Sequence, residues 1–231
     1  MRLYSDVHEA YLETLKDVYQ YPDSTSSPRG QLVNEKFNYQ FSIDNPQVEP
    51  IRTHDPERNK VIESYSKKEF DLYESGSNRV EDFEKASKFW SKLANKDGTI
   101  NSAYGYLIFK YKSHGSKFED EYVDDPRFIE GSGVKCIVPK MRTPWDWCKE
   151  ILRSDKDTRQ AILRFSLPEH FYIGNLDFTC TLHGYFQIRS NKLDFTVNMR
   201  SNDLTLGLVY DLPWFISLMY KMKDELKDIY P

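Results

Sequence analysis

The sequence predicts an α+β protein, with helices and largely sequential strands in one domain. Three patterns carry that expectation. Apolar residues recur at helical spacing after Asp6 and again after Asp211. Residues 178–199 alternate apolar and polar about a polar turn at Ser190 and Asn191, the pattern of a β-hairpin. The remaining segments lack the regular strand–helix alternation of a parallel sheet. A length of 231 residues suits a single domain, taken as 1–231.

The elements follow in order. Asp6 is a helix cap ahead of Val7, Tyr11, Leu15 and Val18, so a first helix runs to about Tyr19. Asp23 to Gly30, rich in Ser with Pro28, reads as an ordered loop or turn. Phe37, Tyr39, Phe41 and Ile43 alternate with polar residues and predict a strand stopping at Pro46. Asp55 and Pro56 open a second helix that ends near Ser75 and Gly76. Another helix is expected over Val80 to Ala94, with Phe83, Phe89, Trp90 and Leu93 on one side. His114 to Lys135 is acidic and without period, and reads as a surface insertion. Thr143 and Pro144 start a helix through Leu152, Ala161 to Leu167 reads as a strand, and the hairpin follows. Leu212, Phe215, Ile216, Met219 and Leu226 then form an apolar helical face.

Charge and composition narrow the function classes. Lys and Arg number 32 against 36 Asp and Glu, and this net charge of −4 excludes a strongly basic nucleic-acid binder. No apolar run approaches the roughly 20 residues of a membrane span. Leu204 to Tyr220 comes nearest, broken by Asp211 and Pro213. Met1 to Gln20 has mixed charge and no apolar h-region, unlike a signal peptide. Cys136, Cys148 and Cys180 form neither a disulfide framework nor a zinc pattern, so no metal is expected and a soluble protein of a reducing compartment is implied. Tyr, Phe and Trp make up 15% of the chain; such residues fill sheet-rich cores or stack on flat ligands, and composition alone chooses neither.

Two features carry chemistry. Cys180 lies in a strand, 20 residues ahead of Arg200. A strand cysteine is ordinarily a small buried hydrophobe; as a nucleophile it needs a neighbour that favours the thiolate, which an arginine supplies. After Arg200 come Ser201, Asn202, Asp203, Leu206, Gly207 and Asp211. A polar cluster between an alternating strand and an apolar helix is either a site or a solvated turn.

Asn198, Met199, Arg200, Ser201, Asn202, Asp203, Leu206 and Gly207 resemble the signature of the thymidylate synthase superfamily, and most of all its phage-type deoxycytidylate hydroxymethylase branch. The resemblance covers most of the chain. Pro28, Arg29 and Gly30 resemble the phosphate loop. Glu69, Phe70, Tyr73, Ser75 and Gly76 resemble the segment with the catalytic glutamate. Trp90, Gly98, Asn101, Ser102, Tyr104 and Gly105 follow the family spacing. Asp157, Thr158, Arg159 and Gln160 resemble the second arginine motif, and Cys180 falls at the nucleophile position.

That resemblance implies a mixed β-sheet with flanking helices, dimerising through the sheet. It also implies one-carbon transfer to carbon 5 of a pyrimidine nucleoside monophosphate, with 5,10-methylenetetrahydrofolate as co-substrate. Carbon 5 becomes nucleophilic once a thiolate adds at carbon 6. The implied catalytic residues are Cys180, Glu69, Tyr104 and Asp203. Arg29, Arg200 and Ser201 are implied to hold the 5′-phosphate, with Arg159 reaching across a homodimer; guanidinium forks suit phosphate oxygens. Trp90, Asp203 and Gly207 match folate-contacting positions. Asp211 stands where synthases have asparagine. A carboxylate sharing a proton fits the cytosine edge, which favours dCMP over dUMP, and a helix N-cap is its bland alternative. The implied location is the cytoplasm, that of the host for a phage protein.

There are departures. Thr179 replaces a usual proline, Thr181 a usual histidine, Tyr185 a glutamine and Gln160 one of two arginines. The sequence stops at Pro231, ahead of the family's sugar-binding His and Tyr and its closing tail, which implies weak folate binding or none. A catalytically impaired nucleotide-binding protein of the same fold is therefore the rival of another class.

Overall fold

The computed structural model describes residues 2–112, 114–124, 127, 131, 133 and 135–230; at Arg29, residues 114–120 and Pro139 it describes the backbone alone. In chain order the elements are β1 (Arg2–Tyr4), α1 (Val7–Gln20), β2 (Ser24–Ser26), β3 (Val33–Glu35) and β4 (Phe41–Ile43). There follow α2 (Pro56–Ser75), α3 (Val80–Ala86), α4 (Tyr104–Phe109), β5 (His114–Asp124), β6 (Lys135–Arg142) and α5 (Pro144–Ser154). The last are β7 (Ile162–Arg164), β8 (Thr181–Arg189), β9 (Lys192–Met199) and α6 (Leu208–Leu226). Among the described residues, pairing is spread over four small sheets rather than one mixed sheet. β1 and β4 are parallel, whereas β2–β3, β5–β6 and β7–β8–β9 are antiparallel.

The chain divides into two compact units. One comprises Met1–Phe70 with Ser201–Met222; the other comprises Asp71–Arg200 with Lys223–Pro231.

In the first unit, Val7, Tyr11, Ile51, Ile62, Leu208, Val209, Tyr210 and Ile216 form the core, flanked by Phe41, Ile43, Tyr65 and Leu204. Each fully buried aliphatic side chain here stabilises the fold by about 1.5–3 kcal/mol relative to exposure. Asp6 caps α1 by accepting from the backbone N–H of His8 and Glu9, as its position predicts. The buried face is nevertheless rotated from the apolar pattern. Thr14 and Asp17 point inward and Leu15 faces solvent. Asp17 is satisfied by the Tyr39 hydroxyl at 2.8 Å and by Arg2, which ties β1 and the segment before β4 to the helix.

In the second unit, Phe83, Ile108, Trp145, Leu152, Leu163, Phe165 and Phe186 are buried. Trp145 packs edge-on against Phe109 at 5.1 Å and Phe186 at 6.0 Å. Gly105 lets α4 approach the end of α2 closely, since a Cβ there would sit 1.8 Å from the Tyr73 carbonyl oxygen. Thr143 caps α5 through the Asp146 N–H, with Pro144 in the first turn. Arg153 on α5 donates two hydrogen bonds to Asp228, at 2.9 and 2.7 Å, and a third to the Glu225 carbonyl.

Several expectations are corrected. The segment read as a surface insertion holds much of the long antiparallel pair β5–β6; Asp125, Pro126, Phe128–Glu130, Ser132 and Val134 lie outside the described residues. Its acidic residues hide any alternation, and backbone pairing supplies what the side chains do not show. The helix expected over 80–94 breaks at Ser87, which is extended (φ −158°) and caps a 3-10 turn, Lys88–Lys92, through the Phe89 N–H. Of the strand expected from Phe37 only β4 forms, and Phe37 is exposed. Neither β1 nor α4 is expected from the sequence, because three and six residues are too short to show a period.

The β8–β9 hairpin forms as predicted. Ser190 and Asn191 both have positive φ, 50° and 60°, as a two-residue type I′ turn requires. Arg189 pairs with Lys192 and the register runs evenly to His183–Asn198. A β-bulge then shifts it by one, so that Thr181 pairs with Met199.

Candidate active site

Cys180 ends the loop entering β8, and Arg200 follows β9. The Arg200 backbone N–H donates to the Cys180 carbonyl at 2.9 Å. Its guanidinium donates from Nε to the Thr179 carbonyl at 3.0 Å and from Nη2 to the Phe178 carbonyl at 2.8 Å. Nη2 also lies 3.8 Å from the Cys180 sulfur, and the group sits over the Phe178 ring. A cation is thereby held beside a half-buried thiol by bonds to the thiol's own segment. Cys148, by contrast, is fully buried, and burial pushes its thiol well up, leaving it inert.

Tyr104 opens α4 and is buried against Phe165 and Tyr73. Its hydroxyl oxygen accepts from the Thr181 N–H at 3.2 Å and pairs with the Thr181 hydroxyl at 3.0 Å. The threonine replacing a usual histidine is therefore fully buried and joins the residue after Cys180 to Tyr104. Trp90, half-buried in its 3-10 turn, packs edge-on against Phe83 at 4.9 Å. Arg159 is exposed in the turn before β7 and makes no hydrogen bond or ion pair among the described residues. The structure thus joins Cys180, Arg200 and Tyr104 into one cluster.

The first unit carries the rest of the signature. Asp203 Oδ1 accepts from the Thr205 N–H, the Thr205 hydroxyl and the Leu206 N–H at 2.7, 2.9 and 2.7 Å. Its carbonyl accepts from Gly207 and Leu208, so Asp203 organises the turn that starts α6. Asp211 is consequently not an N-cap: α6 begins at Leu208, and the Asp211 N–H donates to the Gly207 carbonyl within the first turn. The Asn202 amide donates to Asp211 Oδ2 at 3.2 Å. Burial pushes the Asp211 carboxyl up to about 7, and the Asn202 bond opposes that shift.

Gly207 has a local reason to be glycine. A Cβ there would sit 2.4 Å from Asn202 Oδ1 and 2.9 Å from the Asp203 carbonyl. Asn202 is the contributor that sequence reasoning missed; it lay inside the signature, but its partner nine residues on follows no helical or strand period. Glu69 is buried on α2 and accepts from the Tyr65 hydroxyl at 3.3 Å. The Tyr65 ring packs on Tyr210, one residue before Asp211. Ser201 is exposed; Arg29 lies in the 3-10 turn Pro28–Gly30, its side chain outside the described residues.

These residues belong to a known class. The thymidylate synthase family profile matches residues 9–228, and the chain belongs to that family. It is 28% identical over 169 residues to the deoxycytidylate 5-hydroxymethyltransferase of Enterobacteria phage T4, an overlap of 71% of this chain and 57% of the relative. It is also 28% identical over 130 residues to the deoxyuridylate hydroxymethyltransferase of Bacillus phage SP01, covering 54% of this chain and 33% of that protein. Thermostable thymidylate synthase A from Bacillus subtilis shares the fold, with a TM-score of 0.64 at 18% identity over 94% of this chain and 72% of its own. The chain matches little more than half the length of its phage T4 relative.

Proposed function

We propose that this protein transfers a one-carbon unit to carbon 5 of a pyrimidine nucleoside monophosphate, preferring dCMP and yielding 5-hydroxymethyl-dCMP. The observation that carries this reading is the Cys180 sulfur 3.8 Å from the Arg200 guanidinium, at the signature of this family. A cation at that distance favours a thiolate. Addition of the thiolate at carbon 6 opens the ring double bond and makes carbon 5 the attacking atom. Once carbon 5 has bonded to the one-carbon unit, loss of its proton would release the donor's amine and leave an exocyclic methylene; water would add there as the source of the hydroxyl, and return of the ring double bond would expel the sulfur. When bound, methylenetetrahydrofolate supplies the one-carbon unit. Asp203 fits such a partner, because three donors orient one carboxylate oxygen of an exposed side chain and leave the other for a ring N–H. Trp90 offers a half-buried aromatic surface.

Within this reading Arg29, Arg200 and Ser201 hold the phosphate, and Arg159, exposed on its turn, is supplied to a second copy in a homodimer. Glu69 and Tyr104 relay protons through the Tyr65 and Thr181 hydroxyls. Asp211 chooses the base. A carboxyl that holds its proton near neutral pH donates to the cytosine ring nitrogen through one oxygen and accepts from the amine through the other. dUMP is the second reading, favoured by the activity of the phage SP01 relative.

The test is mass spectrometry of dCMP and dUMP after incubation with the protein and methylenetetrahydrofolate. A hydroxymethylated product from dCMP, abolished by Cys180→Ser, is the expected result. Product from dUMP alone would replace dCMP as substrate. Nucleotide binding without product from either would leave a binding protein of this fold.

A further inference from the structure

We propose that Asp177 and Ser102 form a clamp that positions Cys180, making Asp177 a positioning residue for the nucleophile. This rests on the reading of Cys180 as the reacting group. Asp177 is buried three residues ahead of Cys180. Its Oδ2 accepts from the Ser102 N–H at 2.8 Å and its Oδ1 from the Ser102 hydroxyl at 2.6 Å, while its own N–H donates to Asn175 Oδ1 at 2.8 Å.

Those bonds adjoin a closed ring of side chains, to which Asp177 is linked through Asn175. Asn101 donates to Asn175 at 3.1 Å and to the Tyr172 hydroxyl at 3.3 Å. Tyr172 donates to Asn95 at 2.8 Å, and Asn95 donates back to Asn101 at 2.7 Å. The ring locks the loop before α4 onto the loop before β8. Two residues beyond Ser102, Tyr104 grips Thr181. Cys180 thus sits on a segment held at 177 by Ser102, at 178 and 179 by Arg200, and at 181 by Tyr104.

A buried carboxylate is a costly way to fasten a loop. Burial raises the Asp177 carboxyl above its ordinary range, against the Ser102 bonds, and His170 is the titratable neighbour facing it. Its geometry supplies something an apolar contact does not. Two bonds to one residue fix direction as well as distance, and that fixes the sulfur against the guanidinium.

The test measures iodoacetamide alkylation of Cys180 against pH by peptide mass spectrometry, in the full chain, with Cys136 as internal reference. In Asp177→Asn, Cys180 should react roughly ten-fold more slowly near neutral pH, well within the loss an ångström of misplacement causes. The midpoint of its pH profile should rise, and Cys136 should be unchanged. Ser102→Ala removes one of the two bonds, should act in the same direction by less, and stands in if Asp177→Asn does not fold. A folded variant whose Cys180 profile is unshifted overturns the clamp, whatever its melting temperature. Turnover of Cys180→Ser separates the two ideas. Retained turnover defeats Cys180 as the nucleophile, and with it any catalytic role for the clamp, although the alkylation profile still shows whether Asp177 holds the sulfur in place; a lost turnover beside an unshifted Asp177→Asn profile keeps the proposed function and overturns the clamp.

Discussion

Asp211 is one residue with two consequences, for the base we propose it reads and for the stability of the fold. Its carboxyl holds a proton to about pH 7 in the folded protein, whereas the unfolded chain releases it near 4. The folded form is therefore favoured below the lower value, and that contribution is lost as pH rises from about 4 to about 7. Asp211→Asn has no such loss. Its stability relative to the wild type should grow across that same range, by up to a few kcal/mol, because each tenfold difference in proton affinity is worth about 1.4 kcal/mol. Urea unfolding at a series of pH values checks this. The same variant should move binding preference from dCMP towards dUMP, measured by titration with each; an unchanged ratio removes Asp211 from base reading. The sequence showed the identity of Asp211 but not its setting. A carboxylate before Leu212 and Pro213 looked like a helix cap, because nothing local reveals that Asp203 had already started the helix.

Among the elements, α1 and the β8–β9 hairpin were legible from period joined to a cap or turn, and α2 and α5 from the cap and proline that start them. Asp6 precedes Val7, Thr143 precedes Pro144, and two turn residues separate alternating arms. α4 was invisible for the opposite reason. Four of its six residues are buried by neighbours distant in sequence, and its placement depends on Gly105 meeting the Tyr73 carbonyl. That contact yields a sharp contrast between glycines. Gly105→Ala should destabilise the protein by about 3 kcal/mol or more, because backbone opposes the added carbon. Gly30→Ala meets nothing within 4 Å and incurs only its positive φ, about 1–2 kcal/mol. Comparing urea midpoints of the two variants checks the difference. Equal losses would mean that α4 shifts freely, and the Tyr104–Thr181 bond with it.

At the scale of the whole molecule, the family was readable from six motifs in order, and the family profile over residues 9–228 agrees. The site was legible as residue identities; its wiring was not, since the Asn202–Asp211 and Asp177–Ser102 pairs join positions with no shared period. Assembly gives the prediction for this scale. If Arg159 serves a second copy, inactive Cys180→Ser and inactive Arg159→Ala proteins should complement when mixed and refolded together. One site in each hybrid dimer is then intact, and about one quarter of wild-type activity should return. No recovery from hybrids verified by mass would place Arg159 outside the partner's site.

The bulge near Thr181 acts as a gauge for the hairpin. Counting from the Arg189–Lys192 pair without it, Cys180 would stand opposite Ser201. The one extra residue on β8 brings Arg200 there instead. The sulfur and the guanidinium therefore meet by counting, not by any attraction strong enough to find each other. Substitutions along the arms leave that count intact, whereas straightening the bulge would deliver a hydroxyl where the cation belongs.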